Sequence, residues 1–78
     1  MGTNFRPLPV KCVEAYLKQN GFAFDRITAS HHIWTKNGHR SIPLWGSKKE
    51  IPAIHLKTSC RSIGTTMDDL YNWAEKNC

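Results

Sequence analysis

The sequence predicts an α+β domain in the order α-β-β-β-α(-α), with a three-stranded antiparallel sheet covered by helices on one face. Two observations predict this class. Apolar residues recur at helical spacing near both ends of the chain, and the middle alternates short aromatic and β-branched runs with turn residues. A chain of 78 residues holds one domain with one modest core. We expect residues 1–9 to form a flexible lead-in and residues 10–78 to form this single domain.

The first helix is predicted to begin after Pro9. Val10, Val13 and Leu17 recur at helical spacing and define its buried side. Gly21 indicates where the helix ends, because a glycine just past the last turn adopts the left-handed cap conformation without penalty.

Residues 22–28 predict the first strand, since they are rich in aromatic and β-branched side chains. Strand alternation would place Phe22 and Phe24 on one face and Ala23 and Ile27 on the other.

The next two strands are predicted to form a hairpin. Residues 31–35 make the second strand, and Asn37-Gly38 is typical of a type I′ turn, in which both central positions need positive φ. The third strand covers residues 40–44. Pro43 indicates that this strand lies at an edge of the sheet or ends there, since proline has no N–H for a ladder hydrogen bond.

Two helices are predicted to close the chain. One begins at Pro52 and ends at Gly64. Thr65 or Thr66 then caps the last helix, because two acidic residues follow where the helix dipole favours anions. The buried or bordering positions expected in the first of these helices include Ile54, His55, Leu56 and Ile63.

The charge of the chain is uneven. The formal net charge is +5, and the bases are concentrated between Arg26 and Arg61, where Glu50 alone opposes them. A basic middle beside a mildly acidic tail suggests an anionic partner. The same charges also suit a solvated surface, so charge by itself leaves both interpretations open.

The cysteines argue against a disulfide-stapled secreted domain. Cys12, Cys60 and Cys78 are odd in number and show no CxxC pairing, and no zinc-ligand spacing is present. No apolar run approaches transmembrane length, and no signal-peptide core is visible. We therefore expect a cytoplasmic protein with reduced thiols and no membrane association.

Adjacent histidines open the second predicted strand. Successive strand residues point to opposite faces, so His31 and His32 cannot both face the core. If Ile33 points towards the helices, His32 and Trp34 share the outer face. His31 then points inward, unless a β-bulge changes the direction of its side chain. A histidine suits RNA cleavage because its ordinary pKa of about 6.5 lets it accept or donate a proton near neutral pH. By itself the pair fits structural histidines better.

The residues around this pair follow an ordered pattern. It consists of Gly21-Phe22 at the end of the first helix, Arg26, Ser30-His31-His32 opening the second strand, Ile42-Pro43 in the third, and Lys48-Lys49-Glu50 before the closing helix. In this order and spacing, residues 10–64 resemble the HicA family of toxin–antitoxin ribonucleases.

The resemblance implies a double-stranded-RNA-binding-domain-like fold, metal-independent cleavage of mRNA without a cofactor, and neutralisation by a HicB-type antitoxin. It also implies that His31, which follows the serine, is the catalytic histidine. Strand alternation by itself favours His32, so both remain candidates for the general acid or base.

We expect RNA to lie over the basic middle of the chain, where cations would hold its phosphates. The expected substrate-binding residues are Arg26, Ser30, Lys36, Arg40, Lys48 and Lys49. Among them, Arg26 would also stabilise the charge that develops on the phosphate.

Three departures from the family pattern bear on activity. The segment after Pro52 lacks the Gly-Thr that usually opens the last common helix. Ala29 replaces the glycine of the motif, which removes easy access to positive φ in that turn. Trp45 occupies a place where many members carry a second histidine, and it would either stack on a base or pack against the core. A non-catalytic RNA-binding module and a purely protein-binding domain are therefore the alternatives to a ribonuclease.

Overall fold

The structure, a computed structural model, describes residues 5–46 and 49–78. The elements are β1 (Leu8–Pro9), α1 (Val10–Gln19), β2 (Ala23–Thr28), β3 (His31–Thr35), β4 (Ile42–Trp45), β5 (Glu50–Ile51), α2 (Ala53–Ile63) and α3 (Met67–Asn77). Strands β2, β3 and β4 form an antiparallel sheet in that spatial order, and β1 pairs with β5. The predicted α+β class and three-stranded sheet are confirmed. None of the helices within the described residues combines the length and apolar character needed to cross a membrane.

Helix α1 is the central element of the core. Val13 and Leu17 are almost fully buried, as their helical spacing predicts. The helix ends where the sequence places its end, and Gly21 follows with a φ of +88°.

The segment before α1 takes part in the fold. Residues 8 and 9, which the sequence assigned to the lead-in, form β1, and Leu8 lies opposite Ile51 and is buried. The backbone N–H of Val10 donates to the carbonyl oxygen of Lys49 at 2.9 Å. A two-residue strand is too short to show a period of two, so the sequence carries no signal for this pairing.

Strand β2 contains an irregularity that changes its faces. The register shifts between Phe24 and Arg26, which is typical of a β-bulge. As a result, Phe24 and Ile27 both pair with residues on the helix-covered side, and the expected separation of these two side chains onto opposite faces is wrong. Phe22 precedes the strand and is buried.

The side chains of β3 face the opposite way from the sequence-based prediction. Trp34 is only 3% exposed and packs in the core that α1 contributes to. Alternation then places His32 on this helix-covered side and puts His31 and Ile33 on the other face. We call this other face the open face, although Ile33 is only 9% exposed there. The expectation that Ile33 faces the helices is wrong because the core space takes the larger indole, which has more apolar area to bury.

The hairpin between β3 and β4 has a longer loop than expected. Of the two turn residues, Gly38 has positive φ and Asn37 does not, so the turn is not type I′. The N–H of His39 donates to the carbonyl oxygen of Lys36 at 3.0 Å. β4 therefore begins two residues later than predicted, at Ile42. Pro43 lies in an edge strand, as the sequence indicates.

The end of α2 and the start of α3 lie where the sequence predicts them. Gly64 closes α2 with a φ of +92°, and the side-chain hydroxyl of Thr66 accepts a hydrogen bond from the N–H of Asp69 at 3.1 Å. The inward face of α2 differs from the expected one. Ile54 is 72% exposed and His55 is also exposed, whereas Leu56, Ser59, Cys60 and Ile63 are buried.

Helices α1 and α3 are tied together covalently. Cys12 and Cys78 form a disulfide with their Cα atoms 6.0 Å apart, while Cys60 is free and buried. The expectation of reduced thiols is thus wrong for two of the three cysteines, because antiparallel packing brings together residues far apart in sequence.

Nearby, the hydroxyl of Tyr16 donates to the carboxylate of Asp69 at 2.5 Å. Burial and this hydrogen bond raise the pKa of Tyr16 to about 12.

Reduction of the disulfide is predicted to destabilise the domain. The bond closes a loop with a sequence separation of 66 residues, and a loop of this size contributes about 2–4 kcal/mol to the free energy of unfolding. For so small a domain, the melting temperature should fall by about 10–25 °C. Circular dichroism melting with and without reductant measures this change.

The matched control is Cys78→Ser, which should melt at the temperature of the reduced protein and show no response to reductant. Equal melting temperatures for oxidised and reduced wild type, with the disulfide verified by mass spectrometry, would contradict the prediction.

Candidate functional site

The turn between β2 and β3 directly precedes His31. Ala29 has a φ of +54°, the left-handed conformation in which the family pattern has glycine. Alanine therefore still forms this turn, with a steric cost. Next to it, the carbonyl oxygen of Ser30 accepts a hydrogen bond from the N–H of Gly46 at 2.9 Å, which closes the end of the β3–β4 ladder.

His31 lies on the open face of the sheet. It is opposite Trp45 in the β3–β4 register and opposite Thr28 in the β2–β3 register. The rings of His31 and Trp45 are in tilted contact, with centroids 4.2 Å apart. Both side chains are half-buried, so His31 keeps a surface that a ligand can approach.

A groove runs from His31 along the free edge of the sheet, and we call it the β4–α2 groove. Its volume is about 320 Å³. The walls come from both elements for which it is named and include Pro43, Trp45, His55, Thr58 and Ser62. A second histidine, His55 of α2, thus lines the same groove as His31.

Arg26 is the cation closest in the sheet register to His31. It lies opposite Ile33, which is two residues from His31 on the same face. Diagonal neighbours of this kind are about 7–8 Å apart, within reach of a long side chain. The guanidinium is exposed and pairs with the carboxylate of Asp25.

His32 occupies a different environment on the helix-covered side. Its Nδ1 lies 3.1 Å from Oε2 of Glu14 on α1, and its ring meets Phe24 edge-on at 5.6 Å. It lines a separate depression together with Gly46 and Lys49. His31 and His32 therefore lie on opposite faces of the sheet.

The other predicted substrate-binding residues are dispersed. Lys36 donates through Nζ to the carbonyl oxygen of Asn20 at 2.8 Å, at the end of α1. Arg40 lies with Arg61 in a depression that shares Thr58 and Ser62 with the β4–α2 groove. Ser30 is exposed in the turn before His31. Lys48 lies outside the described residues.

Two residues of this region were missed by the sequence analysis. Glu14 is one polar helix residue among several, and His55 stands in a helix where it was expected at a buried or bordering position. No local pattern distinguishes either, since only the packing of α1 and α2 brings them to the histidines. Among the described residues, no group of three or more His, Cys, Asp or Glu side chains could hold a metal ion.

Comparison with known families agrees with the pattern around His31. The model of the HicA toxin of bacterial toxin–antitoxin systems matches residues 10–65. The chain belongs to the HicA toxin family. This HicA-family protein is therefore the toxin of a toxin–antitoxin system, and its family implies pairing with an antitoxin. No curated protein and no solved structure matches the chain.

Ala29→Gly is predicted to stabilise this HicA-family toxin. A left-handed conformation costs a residue with a Cβ about 1–2 kcal/mol, and glycine gives back about 0.5–1 kcal/mol through the entropy of the unfolded chain. The free energy of unfolding should rise by about 0.5–1 kcal/mol. Urea unfolding at equilibrium measures it.

Ala23→Gly serves as the control, because Ala23 is exposed in β2 and has no positive φ. This second substitution should destabilise the fold. The prediction is wrong if Ala29→Gly lowers the free energy of unfolding to the same extent.

Proposed function

We propose that this toxin is a cytoplasmic endoribonuclease that cleaves mRNA, with His31 as a general acid or base. The observation that supports it is the position of His31, which lies on the open face of the sheet at a groove, with Arg26 in diagonal reach. A histidine that is partly exposed and has a cation in diagonal reach has the two properties that cleavage of a phosphodiester needs.

The proposed reaction uses the 2′-hydroxyl of the RNA as nucleophile. A base takes the proton of this hydroxyl, the 2′ oxygen bonds to the adjacent phosphorus, and the bond from phosphorus to the 5′ oxygen breaks. The leaving oxygen takes up a proton, which yields a 2′,3′-cyclic phosphate and a free 5′-hydroxyl. Arg26 would stabilise the negative charge on the phosphoryl oxygens. The steps need proton transfer and a cation, and no cofactor enters them.

A second proton-transfer group is needed opposite the first. His32 lies on the other side of the sheet, bonded to Glu14, and is poorly placed for this role. His55 lines the β4–α2 groove together with His31 and is exposed. We therefore assign the second role to His55.

We further propose where RNA binds and how an antitoxin inhibits the toxin. Arg40 and Arg61 adjoin its far end and would bind flanking phosphates. An antitoxin of HicB type is the proposed partner, and covering the open sheet face would block access to His31.

Cleavage is predicted to require both RNA and His31. The purified toxin should cut an RNA oligonucleotide and leave its DNA counterpart intact, since DNA lacks the 2′-hydroxyl. His31→Ala should lower the cleavage rate by about 10²–10⁴-fold, whereas Lys76→Ala on α3 should not change it. Gel electrophoresis of the products measures the preference for RNA over DNA and the cleavage rate of each variant. Growth arrest on expression shows whether each variant is toxic in cells.

The presence of Trp45 in place of a family histidine favours a non-catalytic RNA-binding module as the second candidate. That function predicts salt-dependent RNA binding that survives His31→Ala, with no cleavage products. A wild-type protein that neither cuts RNA nor arrests growth would overturn the ribonuclease proposal.

His55→Ala is predicted to lower the cleavage rate by about 10²-fold or more, as expected for loss of one proton-transfer group. Lys57→Ala is the matched control, because Lys57 is an exposed cation on the same helix. An unchanged cleavage rate in His55→Ala would remove His55 from the mechanism.

A further inference from the structure

Gly46, the residue that follows Trp45 at the end of β4, packs against His32. A Cβ atom placed on Gly46 would lie 2.3 Å from Nε2 and 2.4 Å from Cδ2 of His32, which is far closer than real contacts allow. The imidazole is therefore packed against the backbone of Gly46. Gly46 is not among the glycines with positive φ, so glycine is needed at this position for space and not for conformation.

The far side of the imidazole is held by α1. Nδ1 of His32 lies 3.1 Å from Oε2 of Glu14, and both side chains are partly buried. One ring nitrogen thus faces the carboxylate and the other faces the backbone of Gly46. The ring is thus held between α1 and the backbone of Gly46, on the side of the sheet away from His31.

A short path leads from this contact to His31. Gly46 donates its N–H to the carbonyl oxygen of Ser30 and directly follows Trp45, whose ring contacts that of His31. The backbone at the end of β4 is therefore held between the His32 imidazole on the helix-covered side and the carbonyl oxygen of Ser30, just before β3.

We propose that Glu14 and His32 are positioning residues for His31. The carboxylate orients the imidazole, the imidazole supports Gly46, and the position of Gly46 sets where the Trp45 ring contacts His31. This inference rests on the proposed ribonuclease function for its kinetic consequence. The geometric consequence, the contact between Trp45 and His31, does not depend on catalysis.

The kinetic test compares His32→Ala with His32→Gln. Loss of support should lower kcat for RNA cleavage by about 10–100-fold with KM unchanged, as expected for a small displacement of a reacting group. Glutamine can still donate an amide hydrogen to Glu14 and should restore most of kcat. Glu14→Ala should resemble His32→Ala, whereas Glu75→Ala, an exposed carboxylate on α3, should match wild type.

The geometric test uses the NMR signals of the His31 ring protons, which the ring current of Trp45 shifts. Trp45→Ala defines the signal positions without the contact. The signals should move towards those positions in His32→Ala and Glu14→Ala, and they should stay near wild type in His32→Gln and Glu75→Ala. This measurement needs no cleavage, so it separates failure of this inference from failure of the ribonuclease proposal.

A double substitution probes the contact with Gly46. Gly46→Ala should reduce kcat and shift the His31 signals, because its methyl group clashes with the imidazole. In the presence of His32→Ala the clash disappears, so the double variant should be no worse than His32→Ala.

Two results would overturn the inference. One is a His31 signal that does not move in folded His32→Ala and Glu14→Ala. The other is a loss of kcat in His32→Ala that glutamine fails to restore, since that would make His32 a proton-transfer residue. Should Gly46→Ala fail to fold, as shown by circular dichroism, the His32 and Glu14 variants still decide the question.

Discussion

Burial of Trp34 beneath α1 is the constraint on which the rest of the site depends. Its indole N–H has no hydrogen-bond partner among the described residues, a defect that costs about 1–3 kcal/mol. An aromatic side chain of this size buries about 150–250 Å², which stabilises the fold by about 4–6 kcal/mol at 25 cal/mol per Å². The apolar gain exceeds the polar cost, and the indole stays in the core. Strand alternation then directs His31 outward and His32 towards α1.

This division gives the two adjacent histidines different environments. His32 is enclosed by Glu14 and Gly46 and has the contacts of a structural group. His31 contacts Trp45 on the open face and borders the β4–α2 groove. The residues that surround His31 come from β2, β4 and α2, so the candidate site exists only once the helices have packed beside the sheet.

The helices are in turn held by contacts at a distance from the site. Tyr16 and Asp69 share a hydrogen bond between α1 and α3, and the Cys12–Cys78 disulfide joins the same two helices. Because α1 also carries Glu14, these contacts stabilise the element that supports His32. The integrity of the site is thus linked to the packing of helices that do not contact a substrate in the proposed mechanism.

Much of the fold could be predicted because its signals are local. The ends of α1 and α2 are marked by Gly21 and Gly64, whose lack of a Cβ suits the left-handed cap. The bounds of β3 were likewise predicted, and so was a cap at Thr65 or Thr66, since each depends on residues a few positions apart. Thr66 is the residue that caps α3. The family pattern around Ser30-His31 is also linear, and it is what favoured His31 over His32.

The chain by itself therefore determined the α+β class, most element ends and membership of the HicA family. Tertiary structure decided which face each β3 side chain takes, because that depends on whether Ile33 or Trp34 fills the space under α1. It also decided the pairing of Cys12 with Cys78 and the placement of His55 in the groove of His31. These features arise from contacts between residues distant in sequence, and no local pattern encodes which distant partner will be packed alongside.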